Sequence, residues 1–147
     1  MPPAVDDVKS RIDTIEKSYE FFLGYAAQGL TTDQGAKSGT ELRSFLERIE
    51  AALDGLPEAV AGAVEGATGG AELWAEMVEV VRRDARAALT AVRLVAAQDQ
   101  VSSRLVDDLN SSIHLRAVLT DLFLYGEAKE PLDTKGGDEQ LWEEAKR

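Results

Sequence analysis

Four amphipathic stretches of nearly equal length divide this sequence, over roughly residues 4–30, 39–66, 70–97 and 102–127, and equal helices are what pack side by side along their whole length. At ~1.5 Å per residue each would be on the order of 40 Å long. Val8, Ile12, Ile15, Tyr19 and Phe22 recur at helical spacing in the first, and Leu42, Leu46, Ile49, Leu53 and Val60 in the second. Trp74, Met77, Val81, Ala88, Val92 and Val95 mark the third, and Leu105, Leu109, Ile113, Phe123 and Leu124 the fourth. Stripes of this kind are buried by neighbouring helices, which predicts an all-α fold, an antiparallel up-down four-helix bundle with a C-terminal tail. The bundle domain is expected to cover 1–126, with 127–147 a polar linker and a short C-terminal helix or tail.

The punctuation between the stretches is physical. Asp54-Gly55-Leu56-Pro57 should kink or interrupt the second helix, because proline cannot donate to the preceding turn. Ser38-x-x-Glu41 reads as a capping box at its start. Gly62, Gly66, Gly69 and Gly70 form the strongest break, a turn rather than a phosphate loop, since no strand precedes it and no Gly-Lys-Ser/Thr ends it. Between the third and fourth stretches the apolar phase runs on almost unbroken, so one long helix is the alternative there. Polar Gln98 and Asp99 on the apolar face, followed by Ser102 as an N-cap, favour a turn.

With 147 residues and 44% of them hydrophobic, the chain can bury a single core without staples. It has no cysteine, so thiolate nucleophiles, thiolate metal sites and disulfides are all excluded. A net charge of −11 argues against unaided nucleic-acid binding, which needs clustered Lys and Arg. No basic leader and no long apolar run is present, and the expectation is a cytoplasmic protein without a membrane span.

Common catalytic constellations do not assemble from this sequence. The single histidine, His114, has Ser111 three positions before it, so the Glu-x-x-His pattern of di-iron bundles is missing, and no metal or cofactor is expected. Nothing around Ser111 or Ser112 resembles a nucleophile elbow. Arg82, Arg86 and Arg93 share one helix face and are expected to pair with the acidic second helix.

Three anomalies remain. Asp84 falls on the apolar face of the third helix and Arg116 among Leu109, Ile113 and Phe123 on the fourth, where lone charges are costly. An Asp84 and Arg116 pair would satisfy both, as a register-fixing ion pair or as the polar end of a ligand pocket with Tyr19 and Trp74. Phe21 and Tyr25 lie opposite Ile12, Ile15 and Tyr19, giving the first helix a second apolar face to be covered, most simply by another protomer. Trp142 is the one large anchor in a polar tail and is expected to dock on a neighbouring protomer or a separate protein partner. Two functional readings follow. One is a non-catalytic homo-oligomer, most simply a homodimer, serving as an accessory or protein-interaction module. The other is a bundle that binds a small apolar or anionic ligand around Asp84 and Arg116.

Overall fold

The computed structural model describes residues 3–65 and 69–133. Six α-helices and no strand are found among them: α1 (Pro3–Ala27), α2 (Lys37–Leu53), α3 (Leu56–Val64), α4 (Ala71–Ala96), α5 (Ser103–Ser111) and α6 (His114–Asp133). Helix α1 packs on α2, α3 and α5 and more lightly on α6, while α4 packs on α2, α3 and α6 and more lightly on α5. None of these helices is long and apolar enough to cross a membrane.

One apolar core runs through the packed helices. Val8, Ile15, Phe22 and Tyr25 enter it from α1, and Leu42, Leu46, Ile49 and Leu53 from α2. On α4 the buried positions Val78, Val81, Ala85, Ala88, Val92 and Val95 alternate in steps of three and four, the spacing that keeps one seam facing its neighbours.

The break between α2 and α3 follows from its residues. Gly55 takes the left-handed conformation, φ +89°, and Pro57 sits at the start of α3, where its missing N–H costs no intrahelical bond. Arg11 then reaches across from α1 and donates to the Ala51, Ala52 and Asp54 carbonyls at 3.1, 3.1 and 2.7 Å, covering acceptors that the helix end leaves open. The turn between α4 and α5 is also real, and the Ser102 hydroxyl accepts from the Leu105 amide at 3.0 Å as its cap.

Four sequence expectations change. The capping box at Ser38 does not form: the N-cap of α2 is Ala36, and the Ser38 hydroxyl donates to Gln28 Oε1 at 2.8 Å. The fourth stretch is two helices, broken at Ser112–Ile113, and Ile113 leaves the core, 58% exposed. Phe123 and Leu124, read as core positions, are 53% and 61% exposed, and so is Leu73 of the third stretch at 69%. The domain boundary at Gly126 does not stop the chain either, since α6 continues to Asp133 and Lys129 is buried. A single glycine costs a helix only about 1 kcal/mol, less than docking on neighbours returns.

Candidate functional site

The loops that join α1 to α2 and α4 to α5 meet in a polar clasp. Asp33 accepts the Val101 amide at 2.7 Å on one carboxylate oxygen and Arg43 Nε at 2.9 Å on the other. Arg43 spends its remaining donors on the Ala96, Gln98 and Asp99 carbonyls at the end of α4. Ser103 donates its amide to Leu30 O and its hydroxyl to Tyr25 O, while accepting the Leu30 amide. Gly39 makes room for this arrangement, because a Cβ there would run into the Asp33 carbonyl. Burial alone would raise the Asp33 carboxyl, yet the hydrogen bonds from Arg43 and Val101 outweigh it and hold the group below the usual carboxylate value. Both Asp33 oxygens, all three Arg43 guanidinium nitrogens and the Ser103 hydroxyl have partners, which makes the clasp structure rather than site.

The seam between α4 and α6 is the opposite case. Asp84, on the stripe that also carries Leu73, Met77 and Val80, is 22% exposed and has Arg83 Nε at 3.7 Å. Its carboxyl faces Asp121 of α6 within hydrogen-bonding reach, and Asp121 Oδ2 is buried with no donor of its own. Burial, the hydrogen bond to Asp84 and the Asp84 charge together raise the Asp121 carboxyl to about 7, with Arg83 pulling weakly the other way. Asp121 therefore holds its proton toward Asp84, because two facing carboxylates at such range carry a cost. Further along the seam the Trp74 and Tyr125 rings meet edge to face, centroids 6.2 Å apart. Leu73 precedes Trp74 and Leu124 precedes Tyr125 in sequence, and both, like Phe123, are more than half exposed. Glu72 and Glu76 on α4 and Glu127 on α6 are exposed as well.

The junction that aims α6 is strained. Ile113 stands at φ +68°, the only non-glycine residue with positive φ among the described residues, and a β-branched side chain is poorly tolerated there. Ser112 closes α5 by donating its hydroxyl to Leu109 O at 2.6 Å, and α6 opens with Ala117 N to Ile113 O at 2.7 Å. Just before the break, Asn110 is 6% exposed with both amide atoms unpartnered.

The sequence-predicted residues therefore part company. Asp84 is half-buried as expected, but it pairs with Asp121 and not with Arg116, which is exposed. The break at Ile113 resets the helical phase, so the stripe through Leu109 does not continue to Arg116; Leu115, Val118, Leu122 and Tyr125 form the buried face of α6. Tyr19 and Trp74 are each half-buried against the core on α1 and α4, and Trp74 meets Tyr125 rather than a pocket. Two open grooves, about 380 Å³ between α2, α3 and α4 and about 480 Å³ between α1 and α5, include none of Asp84, Arg116, Tyr19 and Trp74.

The interface residues are corrected too. Tyr25 is fully buried within the chain, its hydroxyl donating to Val101 O at 2.7 Å. Phe21 stacks on Phe45 of α2 with centroids 4.5 Å apart, so the second apolar face of α1 is covered by this chain's own helix and loop. Trp142 lies outside the described residues. His114 is exposed, and Arg82 and Arg93 pair with Glu58 and Glu50 at 2.8 Å each. Among the described residues no group of three or more His, Asp or Glu side chains is placed to hold a metal ion.

Sequence reasoning missed Asp121, Phe123 and Leu124 as site residues. The one available signal was the serine pair ahead of Ile113, since serines bond locally to the backbone and so favour helix ends. No protein-family model, curated protein or solved structure matches this chain.

Proposed function

We propose that this protein is a non-catalytic helical interaction module that captures a basic amphipathic helix of a partner protein on its α4–α6 face. In this reading the six helices act as a four-helix bundle, with α2–α3 and α5–α6 each serving as one interrupted arm. The carrying observation is that Leu73 on α4 and Leu124 on α6, next in sequence to the Trp74–Tyr125 pair that joins these helices, are each more than half exposed, as is Phe123. Large apolar side chains left in water favour an apolar partner surface, and a helix laid between two helices is a common way to supply it.

Charge selects the kind of partner. Exposed Glu72, Glu76 and Glu127 lie close in sequence to these apolar residues, and the chain as a whole carries −11. A second copy would bring acids against acids, whereas Lys and Arg flanking an apolar stripe would be steered in.

A synthetic amphipathic Leu–Lys helix, titrated by calorimetry at physiological salt, tests the proposal. Leu73→Ser with Leu124→Ser should weaken its binding by tenfold or more, while Leu94→Ser, which alters an exposed leucine elsewhere on α4, should leave it unchanged. Unchanged binding in both variants would mean that the peptide senses only net charge, equal losses that it contacts any exposed leucine, and either result would overturn the proposal. A dimer in sedimentation that dissociates in the Leu73/Leu124 variant would replace the partner helix with a second copy.

A further inference from the structure

We propose that α6 is held on α4 by a proton shared between the Asp84 and Asp121 carboxyls, and that losing this proton to solvent lets α6 pivot about Ser112–Ile113. This is a conformational device on the same face as the proposed partner site, but no partner enters either its argument or its test.

Three independent observations converge on α6. Asp121 presents a buried carboxylate oxygen that no donor reaches, directly across the seam from Asp84. Only a proton on one of the two groups turns that contact into a hydrogen bond, and its loss leaves two facing carboxylates. The chain at the base of α6 is strained at Ile113, and a residue held in a sparsely populated backbone region gains free energy when its surroundings let it relax. The break also divides the contacts: α5 packs chiefly on α1, and α6 chiefly on α4. An α6 that leaves α4 therefore does not have to carry α5 with it.

No other charge near the seam takes over the role of the proton. On α4, Arg83 reaches Asp84 at 3.7 Å but is itself 76% exposed. On α1, which touches α6 more lightly, Arg11 is committed to the end of α2 and to Asp7. On α3, Glu58 is paired with Arg82. On α5, Arg104, Asp107 and Asp108 are exposed and the nearest buried polar group, Asn110, is neutral. Along α6 itself, Arg116 is exposed and Lys129 has interactions of its own.

The direction of the effect is fixed by which state holds the proton. With α6 docked, Asp121 keeps its proton up to about 7, far above the ordinary 3.8 to which it returns when α6 is free. Opening should therefore grow with rising pH by about tenfold per unit until the docked pair has itself ionised, and then level off.

Amide hydrogen exchange of the whole chain, corrected for intrinsic rates, reads this between pH 5.5 and 8.5. Protection over 115–125 should fall about tenfold per unit from pH 5.5 to near 7 and stay flat above, while α5 and α2 change less. Asp121→Asn, which keeps a donor toward Asp84 and carries no charge, should abolish the slope, and Asp84→Asn, which leaves burial as the one raising cause, should end it at lower pH. The slope should survive in His114→Gln, which removes the only imidazole. Protection of α6 that is independent of pH, a wild-type slope in both Asn variants, or a slope lost in His114→Gln would each overturn the latch. A uniform change over α1, α2, α5 and α6 would overturn the pivot, because the whole domain would then be melting together.

Discussion

The clasp at Asp33 and the seam at Asp121 each bury an aspartate between two parts of the chain, and they treat it in opposite ways. Asp33 receives a guanidinium and a backbone amide, and its carboxyl is held below its ordinary value. Asp121 receives another carboxyl, and its own is pushed up to about 7. The difference lies in donors. The clasp draws them from loop and helix-end backbone, where N–H groups are free to point at a side chain. The seam lies between helix interiors, whose backbone donors are already used within the helix, so only side chains remain and the facing one is acidic. A buried carboxylate is a fastener in the first setting and a titratable weak point in the second.

Asp33→Ala should produce the largest loss and so test the first half of this comparison. It leaves Arg43 and the Val101 amide without their acceptor, and breaking one side of a buried charged pair costs about 3–5 kcal/mol. Arg43 remains 32% exposed and can be partly rehydrated, which places the expectation near about 3 kcal/mol, read as a shift of the urea midpoint at pH 7. The pH dependence has a definite sign. A folded-state carboxyl held below the ordinary 3.8 stabilises fully above that value, and this stability is lost as pH falls through the lowered one. Acid unfolding of the wild type should therefore steepen below about pH 4, and the variant should lack that component. A variant as stable as wild type at pH 7 would show that the clasp contributes nothing.

Asp121→Asn should have the opposite sign. A carboxyl whose folded-state value is raised carries no penalty below the ordinary 3.8, an increasing one up to about 7 and the whole of it above. Replacing it with a neutral donor should stabilise the protein at pH 8 by about 2 kcal/mol, after allowance for the partial exposure of the pair, and by much less at pH 5. Urea midpoints at the two pH values check both the sign and the trend. A variant destabilised equally at both would mean that Asp121 is a fastener like Asp33, and the contrast between the regions would disappear.

The two regions also differ in how far the sequence exposes them. Helices and their main breaks are legible where single residues force the backbone: Gly55 with Pro57 ends α2, and the Ser102 hydroxyl starts α5. The break at Ser112–Ile113 is not, because it contains neither glycine nor proline and places isoleucine where its own preference opposes it. That one hidden break shifted the phase of everything after it, turning Arg116 outward and Asp121 inward. The clasp was hidden for a different reason, since the partners of Asp33 and Arg43 are largely backbone groups far away in sequence. Phe21 and Tyr25 were rightly read as needing cover, but helical periodicity tells which faces are apolar and not which element meets them.

Ile113→Gly is the mildest change and the one that asks whether strain belongs to the seam. An L-residue in the left-handed region costs roughly 1–2 kcal/mol, which glycine avoids, although glycine also gives the unfolded chain more freedom. Ile113 is 58% exposed, so little apolar burial is lost with its side chain. The balance should be a stabilisation of about 1 kcal/mol or somewhat less, visible as a small rise in the urea midpoint. The same substitution at a residue of relaxed backbone inside α5, Asp108→Gly, should instead cost about 1 kcal/mol, since glycine there only loosens the helix. If Ile113→Gly behaves like Asp108→Gly, the junction holds no strain for α6 to release, and the weak point of the molecule is confined to the two carboxyls.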